Sequence, residues 1–116
     1  MSSIICLAIA IFNESRGEPE KARYAVAEVI INRSNEQNKS ICEIIKQPNQ
    51  FSFVKNKVLK TPKHEINAWE DAKKIASYSL SKRTNYTNGA TYFNTKAIGV
   101  RFNKKHKATI GNHVFF

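Results

Sequence analysis

The stretch FNESRGEPE, residues 12–20, puts three carboxylates and one arginine into nine positions, directly after the apolar run IICLAIAIF, residues 4–12. Ile4, Leu7, Ala8, Ile11 and Phe12 recur at the i, i+3, i+4, i+7 spacing of a helix face, and Ser2 or Ser3 can cap its start. The spacing predicts a helix to about Asn13. Nine apolar positions cannot span a bilayer, and no basic residue precedes them as in a secretion signal. The run therefore reads as the core helix of a mature protein, carrying neither leader nor membrane anchor. Glu14 then falls at the helix C-terminus, where the macrodipole is negative and a carboxylate is disfavoured. Partial desolvation beside Ala10 and Ile11 acts in the same direction, towards the pKa range of a general acid. The plainer alternative is a surface ion pair of Glu14 with Arg16 or Arg23.

Outward from this stretch, Gly17 and Pro19 break the helix, and Pro19 suits the first turn of a second one. In that helix Ala22, Ala25, Val26, Val29, Ile30 and Arg33 share a face. Ser40 followed by Glu43 is a capping box for a short third helix over Ile41, Ile44 and Ile45. Thr61-Pro62 opens a fourth, with Ile66, Trp69, Lys73, Ala76 and Leu80 down one side and Trp69 expected in the core. After Leu80 the texture changes to Asn88-Gly89 and the short β-prone pieces ATYFN (90–94) and NHVFF (112–116), which predict a small antiparallel sheet. The fold class is α+β, about four helices and a C-terminal β region. No repeat or linker divides the 116 residues, so residues 1–116 are expected to form one domain around one core.

Charge is distributed unevenly. Residues 1–54 hold six Lys/Arg against six Glu, whereas residues 55–116 hold thirteen Lys/Arg against Glu65, Glu70 and Asp71, so the net +10 lies entirely in the second half. A one-sided basic surface implies a polyanionic partner: nucleic acid, anionic lipid or an anionic envelope polymer. Cys6 and Cys42 each lie in an apolar helical pattern without CxxC or Cys/His spacing, and are expected to be small buried thiols. No metal-ligand cluster or cofactor motif occurs, so no cofactor and no metal are expected, and activity should survive a chelator.

The string ESRGEPEKARYAVAEVIINR (14–33), followed in order by QFSF (50–53), GATYFN (89–94) and IGNHVFF (110–116), resembles the SleB-type cell-wall hydrolase family, which includes the spore-cortex lytic enzymes of germination. The similarity runs from about Cys6 to Phe116, and its most specific part is E-x-R-G-E followed by a helix ending in N-R. It implies a small lysozyme-like domain acting on peptidoglycan, with Glu14 as catalytic acid/base. The chain departs from the family pattern at Ser15 (more often Ala), Phe53 (Trp) and Phe116 (Tyr). These exchanges bear on substrate preference more than on chemistry.

Direct glycoside hydrolysis uses two carboxyls, roughly 5–5.5 Å apart for retention or 6.5–9.5 Å for inversion. The single aspartate, Asp71, lies mid-helix and calls for no functional role. Glu18 is expected to be structural, capping the second helix or holding Arg16. The resemblance favours a lytic transglycosylase, in which one Glu protonates the leaving oxygen and then deprotonates the muramic 6-hydroxyl, giving a 1,6-anhydromuramoyl end. For binding, flat aromatic faces and amides suit sugar rings and N-acetyl groups. Gln50, Phe51, Tyr92, Asn94 and His113 supply them in the parts that match the family. Strand alternation sets Tyr92 and Asn94 on the groove face and Thr91 with Phe93 on the other, Thr91 remaining a candidate through a hydrogen bond to Glu14 or substrate. Phe51 and Phe93 could equally be core, and His113 a structural histidine.

Three rivals stand beside this reading: a hydrolytic muramidase using Glu14 with Glu18 or with a water held by a polar residue, a wall-binding domain without activity, and a non-enzymatic nucleic-acid binder. The last would explain KKHK (104–107) but not the ordered match, and no base-reading helix motif occurs, so no nucleic acid is expected. The expected partners are peptidoglycan strands and the anionic envelope, met by a monomer without stable membrane insertion. A small basic catalytic domain of this kind resembles a phage lysin, made in a host cytoplasm and released to the wall, or a virion-borne lysin, and a bacterial protein whose leader lies outside these residues stands beside them.

Overall fold

The computed structural model describes residues 1–48, 50–56 and 58–116. Helix α1 spans Ser3–Ser15, α2 Glu20–Gln37, α3 Ile41–Ile45 and α4 Ile66–Ser81; strands β1 Phe93–Thr95, β2 Ala108–Ile110 and β3 His113–Phe115 follow. The Ser2 hydroxyl caps α1 by accepting from the Ile5 N–H. Every residue from Cys6 to Phe12 is buried, because α2, α3 and α4 all pack around α1. This is why the run is apolar on all sides and not on one stripe. Leu7, Ile9 and Ile11 are essentially inaccessible, and full burial of such side chains stabilises by about 1.5–3 kcal/mol each.

The capping box at α3 forms as expected, with the Ser40 hydroxyl accepting from the Glu43 N–H and the Glu43 carboxylate from the Ser40 N–H. α2 closes on Asn38 in the left-handed conformation. The fourth helix starts later than Thr61-Pro62 suggests. Glu65, itself left-handed (φ 57°), precedes its first residue, Ile66. The buried face of α4 is also rotated from the expected one. Trp69 and Ala76 are inside with Ala72, Ile75 and Ser79, whereas Ile66 and Leu80 are exposed. Trp69 meets Phe12 edge to face at 6.2 Å.

Cys6 and Cys42 are not free thiols. They form a disulfide between α1 and α3 across 36 residues of sequence, with Cα atoms 5.3 Å apart. Packing of α3 against α1 brings the two sulfurs together, a contact that no local spacing encodes.

Glu28, buried on α2, organises the turn that leads into the sheet. Its carboxylate accepts from the Tyr86 and Thr87 N–H groups and from the Thr84 and Thr87 hydroxyls. One turn further on, Asn32 Nδ2 donates to the Ala90 carbonyl and Arg33 Nε to the Thr91 carbonyl. The sheet is antiparallel in the order β1-β3-β2, with Phe93 opposite Phe115 and Ala108 on the other flank of Phe115. The central strand β3 inserts Phe115 into the helical core. Beyond β1, Thr91 and Tyr92 N–H groups donate to the Phe116 carbonyl and the Phe116 N–H returns to Tyr92.

Candidate active site

Glu14 lies in the last turn of α1 and opens into a groove of about 820 Å³. One wall comes from the helical half, with Glu14, Arg33 from the end of α2, and Gln50, Phe51, Ser52 and Val54. The other comes from the β region, with Tyr92 to Thr95, His113 and Phe116, extended by Ile98, Arg101 and Phe102. The helix that delivers Glu14 is the most deeply buried element, so its end is held rigidly.

Burial raises the Glu14 carboxyl from the usual 4.5 to about 7, and its place at a helix C-terminus acts in the same direction. Among the described residues no hydrogen bond or ion pair engages this carboxyl. Both arginines that could have neutralised it are occupied elsewhere. Arg16 stacks over Phe12 at 4.6 Å and pairs with Glu65 at 2.9 Å, and Arg23 pairs with Asp71. The neighbouring Ser15, buried, satisfies its hydroxyl on the Ile11 carbonyl at 2.8 Å. A serine is therefore accommodated there without an unmet polar group.

Glu18 neither caps α2, which starts at Pro19 without a side-chain cap, nor holds Arg16. Its Oε1 accepts from the Asn112 N–H at 2.8 Å and stands 3.4 Å from His113 Nδ1. What it holds is the β2–β3 turn, in place of the two expected contacts. The closeness explains Gly111, where a Cβ would lie 2.6 Å from Glu18 Oε1 at a φ of +59°. Glu14 is thus the one carboxyl lining the groove among the described residues.

Of the expected binding residues, Gln50, Phe51, Tyr92, Asn94 and His113 all line the groove, and Thr91 does not. Thr91 is buried and contributes its backbone, through the carbonyl bond to Arg33. Nor does strand alternation sort the residues, since Phe93 and Thr95 line the groove together with Tyr92 and Asn94. β1 is only three residues long, so the pleat barely develops before the chain turns. Phe51 and Phe93 serve both core and groove, with ring centroids 6.4 Å apart. The Asn94 amide N–H donates to the Gly99 carbonyl at 3.1 Å and so fixes the turn after β1. His113 is 7% exposed, its ring edge-on to Phe93. Burial lowers its pKa against the opposing pull of Glu18, which favours the neutral ring.

Arg33 is the groove residue that helical periodicity hides, because it falls on the apolar stripe of α2. It is 3% exposed, yet its guanidinium donates to Thr91 O at 2.9 Å and Gln50 Oε1 at 3.1 Å and lies 4.4 Å over the Tyr92 ring. A buried cation held in this way joins the two walls of the groove and fixes the tilt of Tyr92. The sequence signal was the charge itself, placed where the stripe calls for an apolar residue.

The geometry has relatives. Residues 17–116 match the cell wall hydrolase family. The catalytic domain of the Bacillus cereus SleB protein is 27% identical with a TM-score of 0.78, over 97% of this chain and 88% of that one. The catalytic domain of the germination-specific lytic transglycosylase SleB from Bacillus anthracis is 26% identical with a TM-score of 0.79, over 97% of this chain and 92% of that one. No curated protein matches by sequence search. Glu14 stands three residues ahead of the family match, so its assignment rests on the groove geometry.

Proposed function

The chain belongs to the cell wall hydrolase family, and from that premise we propose that it is a lytic transglycosylase cutting the MurNAc-GlcNAc bond of peptidoglycan with Glu14 as its single acid/base. The observation that carries this reading is the solitary carboxyl. The groove holds a carboxyl with a pKa near 7 and, among the described residues, no second one to activate water or trap a glycosyl intermediate. At a pKa near 7, Glu14 is protonated often enough to donate and basic enough to accept afterwards.

In the first half-reaction Glu14 gives its proton to the glycosidic oxygen, the anomeric C–O bond breaks, and the GlcNAc end leaves as an alcohol. In the second, the Glu14 carboxylate takes the proton from the muramic 6-hydroxyl. That oxygen bonds to the anomeric carbon, closing a 1,6-anhydro ring and returning Glu14 to its protonated state. Atoms and charge balance without water. Gln50 and Asn94 supply amide groups suited to N-acetyl substituents, and Tyr92 and Phe93 supply ring faces for the sugars. The disulfide fits an enzyme that works outside the reducing cytoplasm. The basic second half suits an anionic envelope, and release as a phage lysin is the delivery route we favour.

The test is mass spectrometry of products released from purified peptidoglycan by the wild type and by Glu14→Gln. Anhydromuramoyl ends that disappear in the variant are the expected result. Reducing muramic ends would replace this mechanism with hydrolysis, and release by the variant at the wild-type rate would remove Glu14 from the chemistry.

A further inference from the structure

The groove has a second chemical feature that glycan cleavage does not use. Residues 72–116 contain nine Lys/Arg and no Asp or Glu. The acidic residues just before them are committed elsewhere, Glu65 to Arg16, Glu70 to Lys73 and Asp71 to Arg23. The cations of the loop between β1 and β2 are therefore left without carboxylate partners among the described residues, and the loop borders the groove. Arg101 and Phe102 line it. Phe102 is 67% exposed in a left-handed conformation (φ 60°), yet its ring is placed against Tyr92 at 5.0 Å and near Phe116 at 6.5 Å. Lys104 Nζ stands 5.4 Å from the centre of the same Tyr92 ring. The bond from Asn94 to Gly99, with backbone bonds from Ile98 and Gly99 to Thr95, ties the start of the loop to the end of β1.

We propose that Arg101 and Lys104 form a subsite for the acidic peptides attached to the muramic acid of the glycan strand. The inference rests on the peptidoglycan reading above and deepens it by naming which part of the substrate the loop takes. A neutral sugar chain gives two cations at a groove wall nothing to pair with, whereas side peptides place carboxylates a few atoms away from the glycan backbone. A guanidinium receives a carboxylate in a two-pronged hydrogen bond, and an ammonium adds a point charge beside it. The strand then lies with its sugars against Tyr92 and Phe102 and its peptides towards the loop. Arg101 and Lys104 are specificity residues and touch no reacting bond.

The experiment uses soluble glycan strands carrying their peptides and the same strands stripped by an amidase, with the lactyl carboxyl that the amidase frees capped as its methylamide, each digested by the wild type and by the double variant Arg101→Gln/Lys104→Gln. Both residues are exposed, so circular dichroism is expected to be unchanged. The wild type should favour peptide-bearing strands by about threefold or more in kcat/KM at low salt, expressed mainly in KM, the size expected of one or two exposed charge contacts. In the double variant that ratio should fall to about one. A wild type indifferent to peptides, or a double variant that keeps the preference, overturns the proposal. Binding of Glu14→Gln to the two strands, with and without the double substitution, gives a readout independent of cleavage. If neither strand is cut, the transglycosylase reading fails, while a peptide-dependent affinity that needs Arg101 and Lys104 would still support the subsite. An equal loss of affinity for a glycerol-phosphate polymer would mark the loop as a general polyanion patch and overturn it.

Discussion

In the proposed mechanism Glu14 is destabilised in order to work. With the folded pKa near 7 and the unfolded value at 4.5, the folded state favours the protonated form. Stability is therefore fully present below about pH 4.5 and is lost as the pH rises through 7. The difference corresponds to about 3 kcal/mol. Glu14→Gln does not titrate, so thermal unfolding should find it more stable than the wild type at pH 8, with the gap closing towards pH 4. A Glu14 that behaved as an ordinary surface carboxylate would leave no such gap. The same titration shapes catalysis. The acid must be protonated to act, so kcat/KM for glycan release should fall above about pH 7. The neighbouring cation sets a different test. Arg33→Lys keeps the charge but loses the paired donation to Thr91 and Gln50 and the flat stacking on Tyr92. It should lower both melting temperature and activity, by about 1–3 kcal/mol in unfolding free energy, whereas wild-type behaviour would deny Arg33 its role between the walls.

Among the elements, the corner between α1 and α2 and the turn between β2 and β3 are joined by a single carboxylate. Gly111→Ala would push a methyl to 2.6 Å from Glu18 Oε1 in a backbone region that disfavours alanine. A loss of about 1–3 kcal/mol is expected in chemical denaturation, and Glu18→Gln, which can still accept from Asn112, should lose less. The link between α1 and α3 is covalent. The closed loop of 36 residues predicts that Cys6→Ala/Cys42→Ala lowers stability by about 3–4 kcal/mol, and a reductant should lower the wild-type melting temperature without affecting the double variant. These elements also mark what could be read beforehand. α1, the capping box of α3 and the acidic corner were legible because each is local, written in spacing three or four residues apart. The disulfide, the Glu18 contact with Asn112 and the late start of α4 were not, because each depends on partners tens of residues away. β2 escaped notice for a related reason. Three residues, Ala108–Ile110, carry no alternation of their own and become a strand only beside β3.

For the molecule as a whole, the net charge and Glu14 belong to different halves of the sequence but meet in one groove. The helical half is neutral and supplies the acid, and the second half carries the +10 and supplies the opposite wall. Activity on intact walls should therefore fall as salt rises from about 0.01 M to 0.15 M, where the screening length shrinks from roughly 30 Å to 8 Å. Activity on short neutral glycan fragments should change far less, and equal sensitivity of the two would separate the charge from wall recognition. The contact of Glu18 with Asn112 has a further consequence, since it spans 94 positions of the chain. A ribosome delivers Glu14 well before β3, at roughly 5–20 residues per second. Until β3 emerges and docks, the carboxyl has no opposite wall to its groove. The acid and the wall that faces it are therefore assembled by folding across most of the chain, and no local segment carries the site by itself.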